Sequence, residues 1–221
     1  MSLAFLLSIL YFITTVFAGD HQTFGPNFSF GPVPNNGYIR EAQSTLIVPA
    51  RPCCVTGILD LWVGMGTSND DLIQALIENI PGVEWTTQAY TQKPKGDPAQ
   101  GPIVAIHAGD SVTVRYVYND ATSQYDQSVA VNGEIVSTVS TDSGLAQGWG
   151  SAIECATGDG TCGLVDAHKW INTRFVLDKA APGLKDTFAT VLGVKTTGFK
   201  TIDGGKTWVV TEADIPAWKF K

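Results

Sequence analysis

Histidine is scarce in this sequence, and the motifs that organise metal and nucleotide chemistry are missing. The chain has three histidines in 221 residues, His21, His107 and His168, and they are widely separated. It contains no His-Glu-x-x-His pair, no Gly-x-Ser-x-Gly nucleophile turn, no phosphate-binding loop and no dinucleotide-binding strand–turn–helix fingerprint. We therefore expect neither a metal site nor a bound cofactor.

Basic residues are also few. Lys and Arg total 14 against 21 Asp and Glu, which gives a formal net charge of −7 and a sequence pI of about 4.8. This balance argues against a nucleic-acid partner, because phosphate binding requires clustered Lys and Arg. An acidic chain is suited to a soluble extracellular protein in an acidic medium.

Long apolar segments are absent after residue 17. Residues 3–17 are uncharged and mainly apolar, and Val16 and Ala18 are small enough for a signal-peptide cleavage site. The run is short for a membrane anchor. We expect residues 1–18 to be a secretory signal peptide and the mature chain to have no membrane attachment; a retained N-terminal anchor is the alternative.

Cysteine is limited to four positions: Cys53, Cys54, Cys155 and Cys162. In a secreted chain these residues should be oxidised. Their spacing lacks the paired Cys-x-x-Cys of a zinc site. Three pairings are possible, and because a bridge between neighbours would be strained, we favour two bridges that link the first pair to the second.

The chain reads as one domain preceded by an irregular segment. Residues 19–43 are rich in Gly, Pro and Asn, which predicts an extended N-terminal arm. Asn27-Phe-Ser is a sequon, so Asn27 is a candidate glycosylation site. Residues 44–221 are then a single domain of ordinary size.

Alternating, β-branched and aromatic segments predict strands through most of this domain. Asn132-Gly133 predicts a type I′ hairpin turn. Residues 68–79 fit either a short helix or a buried strand, and the Gly-rich residues 142–166 read as a long loop of the kind that is often functional. Many short strands favour an all-β fold, a two-sheet antiparallel β-sandwich of jelly-roll or concanavalin-like type. The predicted strands lie in 44–50, 57–66, 83–91, 103–120, 125–141, 167–178 and 207–215.

Single polar residues inside apolar runs are candidate site residues, because buried polar groups need hydrogen-bond partners or a functional role. Gln74 lies within "LIQALI", Glu84 precedes a tryptophan, and Lys169 precedes another in "AHKWI". Together with the "WVG" at Trp62 and the segment "IHAGDSVTVRY", their order resembles the glutamic peptidases, or eqolisins, of filamentous fungi. The resemblance covers roughly residues 44–200 and implies a double-sheet β-sandwich.

The resemblance also implies site residues. The family's catalytic glutamine falls on Gln74, the acidic residue of its Tyr-Glu-Trp-Tyr stretch on Glu84, and its catalytic glutamate on Lys169. In the family the glutamate acts as general base on a water molecule, and the glutamine stabilises the oxyanion. A lysine ammonium has no acceptor atom, and its usual pKa is about 10.4. The aspartate of the family's Trp-Val-Gly-Ile-Asp-Gly turn is missing as well, so peptide hydrolysis by this mechanism is not expected.

Three functions follow from this sequence. In the first, a concave groove binds or transforms a small molecule, a glycan or a peptide, including by a non-hydrolytic step such as isomerisation or cyclisation, through Gln74, Glu84 and Lys169. Aromatic stacking would come from Trp62, Trp85, Trp149 and Trp170. In the second, the protein is an acid endopeptidase whose base has moved to Glu154. In the third, it is a non-catalytic lectin-like or structural secreted protein, its tryptophans form ordinary core, and Lys169 pairs with Glu84.

Overall fold

The computed structural model of the protein describes residues 22–53, 55–156 and 161–220. The predicted signal peptide lies outside these residues. Helix is limited in the described chain to two short 3₁₀ segments, η1 (Pro34–Asn36) and η2 (Pro182–Thr187), and no helix there could cross a membrane. The strands are β1 (Gln22–Phe24), β2 (Asn27–Phe30), β3 (Ile39–Ile47), β4 (Leu59–Thr67), β5 (Leu72–Asn79), β6 (Thr86–Gln92), β7 (Ala99–Gln100), β8 (Val104–Ala105), β9 (Ser111–Asn119), β10 (Gln124–Val131), β11 (Glu134–Thr141), β12 (Ala146–Ala156), β13 (Leu164–Val165), β14 (His168–Leu177), β15 (Ala189–Val191), β16 (Lys195–Thr196), β17 (Lys200–Thr201), β18 (Thr207–Ile215) and β19 (Trp218–Lys219).

Two large antiparallel sheets account for most of these strands. In the described residues, the first sheet has the order β15-β2-β12-β4-β5-β6-β7, with β1 beside β12 and β8 beside β6. The second has the order β11-β10-β9-β3-β14-β18-β16, with β17 beside β18, while β13 and β19 form a small separate pair. The predicted all-β, two-sheet antiparallel sandwich is confirmed.

The core lies between the two sheets and follows the two-residue period of the strands. Along β4, Leu59, Leu61, Val63 and Met65 are fully buried in the main core. The alternate residues of β4 point to the other side of the first sheet, because successive side chains of a strand face opposite ways. We call that side the outer face.

Aromatic side chains join the two sheets across the core. The Trp149 ring lies 4.8 Å from that of Phe175 and 6.0 Å from that of Tyr116, centroid to centroid. The Tyr116 hydroxyl donates a hydrogen bond of 2.8 Å to the carbonyl oxygen of Val63. Strands β12 and β4 of the first sheet are thereby tied to β9 and β14 of the second.

Two segments predicted as irregular are part of the sheets. Residues 22–43 are not an arm, since they contain β1, β2 and the first half of β3, which pairs with both β9 and β14. The Gly-rich residues 142–166 are not a long loop either, because β12 pairs with β2 and β4 in the middle of the first sheet. Both segments include strands that pair with neighbouring strands through main-chain hydrogen bonds, in spite of their glycine content.

Two local predictions have clear outcomes. Asn132 and Gly133 have φ values of 51° and 90° and join β10 to β11, which confirms the hairpin with positive φ at both turn residues. Of the two alternatives for residues 68–79, the strand is found, as β5.

The described residues contain one disulfide, and it is not the pairing we favoured. Cys155 at the end of β12 is bonded to Cys162, with their Cα atoms 5.7 Å apart. The bridge is local because the two residues are separated by only seven positions in the sequence. Cys53 is exposed and outside a disulfide, and Cys54 lies outside the described residues. A disulfide is typical of a protein from an oxidising compartment.

Replacing Trp149 by alanine should lower the free energy of unfolding by about 3–5 kcal/mol, because a fully buried indole would leave a cavity. Urea denaturation measures this change. The matched control is Ile135→Ala, whose side chain is 64% exposed and should change stability by at most about 0.5 kcal/mol. Equal stability of the two variants would show that Trp149 is not a core residue.

Candidate functional site on the outer face

Only one of the four tryptophans assigned to a groove reaches the outer face. Trp85, Trp149 and Trp170 are each 1% exposed and belong to the core between the sheets, so their assignment to a ligand groove is wrong. Trp62 alternates with the core residues of β4 and packs instead with Leu76 and Ala152 on the outer face, where it too is buried, with 1% exposed.

The expected convergence of Gln74, Glu84 and Lys169 is not found. Lys169 lies on β14 in the second sheet, exposed, with its Nζ 3.0 Å from Glu212 Oε1 and 3.1 Å from Asp214 Oδ1. Glu84 is exposed between β5 and β6, and Arg51 Nη1 lies 3.0 Å from its Oε1. The predicted pairing of Lys169 with Glu84 is therefore wrong too. Assigning the family's glutamate to Lys169 places it on the sheet that does not carry Gln74.

Gln74 itself lies on the outer face, in the middle of β5. Residues opposite each other on neighbouring strands form rows across the sheet, and the row of Gln74 contains Gly150, Gly64 and Tyr90. The Gln74 side chain is 7% exposed, and its Oε1 has no hydrogen-bond partner among the described residues. A buried acceptor without a partner is costly unless a water or a ligand serves it.

Four glycines lie beside Gln74 on the outer face. Gly64 and Gly66 on β4 lie opposite Gly150 and Gly148 on β12, and we call these four residues the glycine floor. A Cβ at Gly64 would lie 2.5 Å from the Ile73 carbonyl oxygen, so no larger residue fits there. A Cβ at Gly66 would meet nothing within 4 Å, and one at Gly150 would meet only the Trp62 ring, at 3.8 Å. A ligand could approach the backbone closely over Gly66 and Gly150, whereas Gly64 is buried and a Cβ at Gly148 would lie 2.9 Å from the Phe30 carbonyl oxygen.

Three acidic side chains, which their sequence positions alone do not group together, form a second feature of the outer face. Glu154 on β12, Asp60 on β4 and Glu78 on β5 occupy one row, and we call them the carboxyl row. Directly opposite residues in a sheet have Cβ atoms about 4.5–5.5 Å apart. Each residue is a lone acid within an apolar strand ("ILDLW", "LIEN", "AIECA"), and this was the available signal.

The surroundings of the carboxyl row favour the protonated form of its three side chains. Burial raises the pKa of Asp60 well above its usual range, and the neighbouring Glu154 and Glu78 raise it further. Burial raises the pKa of Glu154 to about 7, against a smaller opposite effect of the hydrogen bond from Trp62. Burial also raises the pKa of Glu78. None of the three takes part in an ion pair within the described chain.

Aromatic residues border the carboxyl row. Trp62 Nε1 donates a hydrogen bond of 2.7 Å to Glu154 Oε2. Phe24 on β1 lies opposite Glu154, and both Phe24 and Tyr90 pack against the cluster of Trp62. The pKa of Tyr90 is raised by burial and then by Asp60 and Glu78, which places its phenol in the field of the same row.

The remaining candidates lie away from this face or stay predictions. Asn27 is half-buried on β2 and its Nδ2 donates a hydrogen bond of 3.1 Å to the Gly25 carbonyl oxygen, so its glycosylation stays a prediction. His168 is buried, and burial lowers its pKa. In the described parts of the chain no three His, Cys, Asp or Glu side chains are arranged to hold a metal ion.

Fold and site together define an antiparallel β-sandwich with a polar, partly glycine-lined outer face on one sheet. Its fold is similar to that of scytalido-glutamic peptidase bound to a peptide-based transition-state analogue, at 10% identity and a TM-score of 0.55, covering 90% of this chain and all of the other. It is also similar to SCP-B, a member of the eqolisin family of peptidases in complex with the tripeptide Ala-Ile-His, at 10% identity and a TM-score of 0.52 over 90% of this chain. Searches of protein-family profiles and of curated proteins find no match. At this identity the likeness establishes the glutamic-peptidase-like fold and not the activity.

The carboxyl row should make this protein more stable in mild acid than at neutral pH. A carboxyl group whose pKa is raised in the folded state keeps its proton while the unfolded chain ionises, so the free energy of unfolding falls as pH rises. For Glu154, the window runs from its ordinary pKa of 4.5 to about 7, and the loss is up to about 3 kcal/mol. The ionisable groups that face it are Asp60 on β4, Glu78 on β5 and Tyr90 on β6, while β1 contributes only the neutral Phe24.

Urea denaturation of the wild type and of Glu154→Gln at pH 4.5 and 7.5 measures this effect. The variant should lose less stability between the two pH values than the wild type, because other carboxyl groups contribute equally to both proteins. Glu134→Gln, at an exposed position of the β10–β11 hairpin, serves as control and should behave as the wild type. A Glu154→Gln variant with the full wild-type pH dependence would contradict the assignment.

Proposed function

We propose that this chain is a secreted, glutamic-peptidase-like β-sandwich protein that binds its ligand on the outer face of the first sheet and does not cleave peptides by the glutamic-peptidase mechanism. The ligand is a peptide, a glycan or a small molecule. The observation that carries the proposal is the glycine floor beside Gln74, whose buried Oε1 has no partner among the described residues. Secretion is supported by the disulfide and by the apolar residues 3–17.

The surroundings of Gln74 argue against the peptidase mechanism. A general base must reach its water at hydrogen-bond distance, and that water must also reach the glutamine. In the row of Gln74 and in the two adjacent rows across β12, β4, β5 and β6, no acidic residue faces outward. Neighbouring positions are occupied by Gly64, Gly150, Trp62 and Leu76 instead.

The relocated base, Glu154, is the specific alternative, because it shares the outer face with Gln74. It lies four residues along the strands and two strands across from Gln74. At usual strand spacings this is about 13 Å along and about 10 Å across. One water molecule cannot bridge such a separation, so a Glu154–Gln74 dyad is not favoured.

The structural similarity supports a peptide among the candidate ligands. The solved structures of scytalido-glutamic peptidase and of SCP-B contain a peptide-based analogue and a tripeptide. An extended ligand over the glycine floor could hydrogen-bond to Gln74. A side chain at the floor positions would remove that space.

Two assays test the proposed function. Digestion of a denatured protein substrate between pH 2 and 6 should show no turnover by the wild type. Thermal-shift screening with peptides, neutral oligosaccharides and small molecules should find a ligand that raises the melting temperature, because a ligand that binds only the folded state stabilises it. Gln74→Ala should weaken the binding of that ligand at least about fivefold, because one hydrogen bond to a buried group is lost.

Lys169→Ala is the matched control, since Lys169 lies on the second sheet, and it should bind the same ligand as the wild type does. Proteolysis that disappears in Gln74→Ala would show that the protein is a working glutamic peptidase. Ligand binding that depends on Lys169 and not on Gln74 would move the site to the other sheet.

A further inference from the structure

We propose that the carboxyl row binds a positively charged nitrogen of the ligand, an ammonium or guanidinium group such as a basic side chain of a peptide. This inference rests on the ligand-binding role of the outer face proposed above and specifies the ligand class. Two observations carry it, unpaired acidic groups and buried acceptors without partners, and the half-buried Phe24 ring opposite Glu154 agrees with it.

When the carboxyl groups of the row ionise, no cation among the described residues balances their charge. Asp60 lies between Glu154 and Glu78, and none of the three has a cationic partner within the described residues. The ionisable side chains that face Asp60 are acidic on β12 and β5 and phenolic on β6, while β1, with the sequence Gln-Thr-Phe, has none. Like-charged neighbours across strands are destabilising when ionised. A cation from outside would remove that repulsion.

Two buried acceptors at the row are without donors. Asp60 is 6% exposed, and its Oδ1 has no hydrogen-bond partner among the described residues. Gln88 on β6, also 6% exposed, faces outward one row away, diagonal to Glu78, and its Oε1 has no partner either. An ammonium group has three donors and no acceptor, which is the complement of these oxygens.

The aromatic border fits the same ligand. Trp62 and Phe24 lie beside the row; the Trp62 ring is 1% exposed, so the half-buried Phe24 ring is the one that a ligand cation can contact, and aromatic ring faces attract cations. The hydrogen bond from Trp62 Nε1 to Glu154 Oε2 fixes the indole beside the carboxylate. Carboxylates combined with aromatic rings suit an amine cation better than a neutral sugar, whose hydroxyl groups need both donors and acceptors.

A cationic ligand and a neutral one differ in their pH dependence. Cation binding needs ionised carboxyl groups, and burial holds the pKa of Glu154 at about 7 in the free protein. Cation binding should therefore release protons and strengthen as pH rises from 5 to 8, over which a lysine side chain, with a pKa of about 10.4, stays charged. A neutral polyol that hydrogen-bonds to protonated carboxyl groups should bind more weakly as pH rises over the same range.

The test is calorimetric titration of the full chain with an acetylated and amidated heptapeptide of six alanines around one central lysine. Its partner peptide has norleucine in place of lysine, which keeps the methylene chain and removes the ammonium. At pH 8 the lysine peptide should bind at least about tenfold more tightly than the norleucine peptide, and at least about tenfold more tightly than at pH 5, as expected for a charge-assisted contact. Heats measured in two buffers of different ionisation enthalpy should show proton release.

Variants separate the carboxyl row from general electrostatic attraction to this acidic protein. Asp60→Asn and Glu154→Gln keep the side-chain shape and should each lower the affinity for the lysine peptide at least about fivefold at pH 8, while Glu134→Gln should not change it. Loss of binding in all three variants would show nonspecific charge attraction and overturn the inference.

The remaining outcomes separate the inference from the function on which it rests. Equal binding of the norleucine peptide, or tighter binding of calcium ions or of a neutral oligosaccharide with no lysine-peptide binding, would overturn the cationic specificity and leave the ligand-binding outer face intact. Failure of every peptide, oligosaccharide and small molecule in the screen to bind would overturn both proposals.

Discussion

The register of β12, β4 and β5 is the constraint on which the rest of this structure depends. Because side chains alternate along a strand, a slip by one residue would turn every inward side chain outward. In the observed register, Leu61, Val63 and Ile153 face the second sheet, while Asp60, Trp62 and Glu154 face away from it. One pairing pattern therefore determines both the apolar core and the polar outer face.

The sequence was sufficient for the fold class and for the local turn chemistry. Period-two patterns predicted most strands, and Asn132-Gly133 predicted its hairpin because both positions have positive φ. It failed where glycine replaced the usual strand residues. In β12, a Cβ at Gly148 would lie 2.9 Å from the Phe30 carbonyl oxygen, so glycine there permits a close strand contact and does not signal a loop.

The candidate site was only partly predictable. Gln74 was proposed through the resemblance, and it lies on the outer face of the first sheet. Lys169 was assigned to the position of the family's glutamate because the residues around it match a family motif. Its strand, β14, belongs to the second sheet. The carboxyl row was missed because its members are 18 and 76 positions apart in the sequence, Asp60 to Glu78 and Glu78 to Glu154, and only strand order brings them together. Five short motifs define neither strand order nor register.

The outer face is chemically divided along its strands. At one end, Gly66 and Gly150 offer open backbone and Gln74 a neutral amide; four residues away from Gln74, three acidic groups lie beside Trp62 and Phe24. An extended ligand that lies along the strands could contact both ends at once, since four residues of strand span about 13 Å. The amide would then contact the ligand backbone, whose chemistry is the same for every peptide, and the acidic end would distinguish ligands by charge. Recognition of this kind needs no catalytic base beside Gln74, which is consistent with glycine at the positions closest to it.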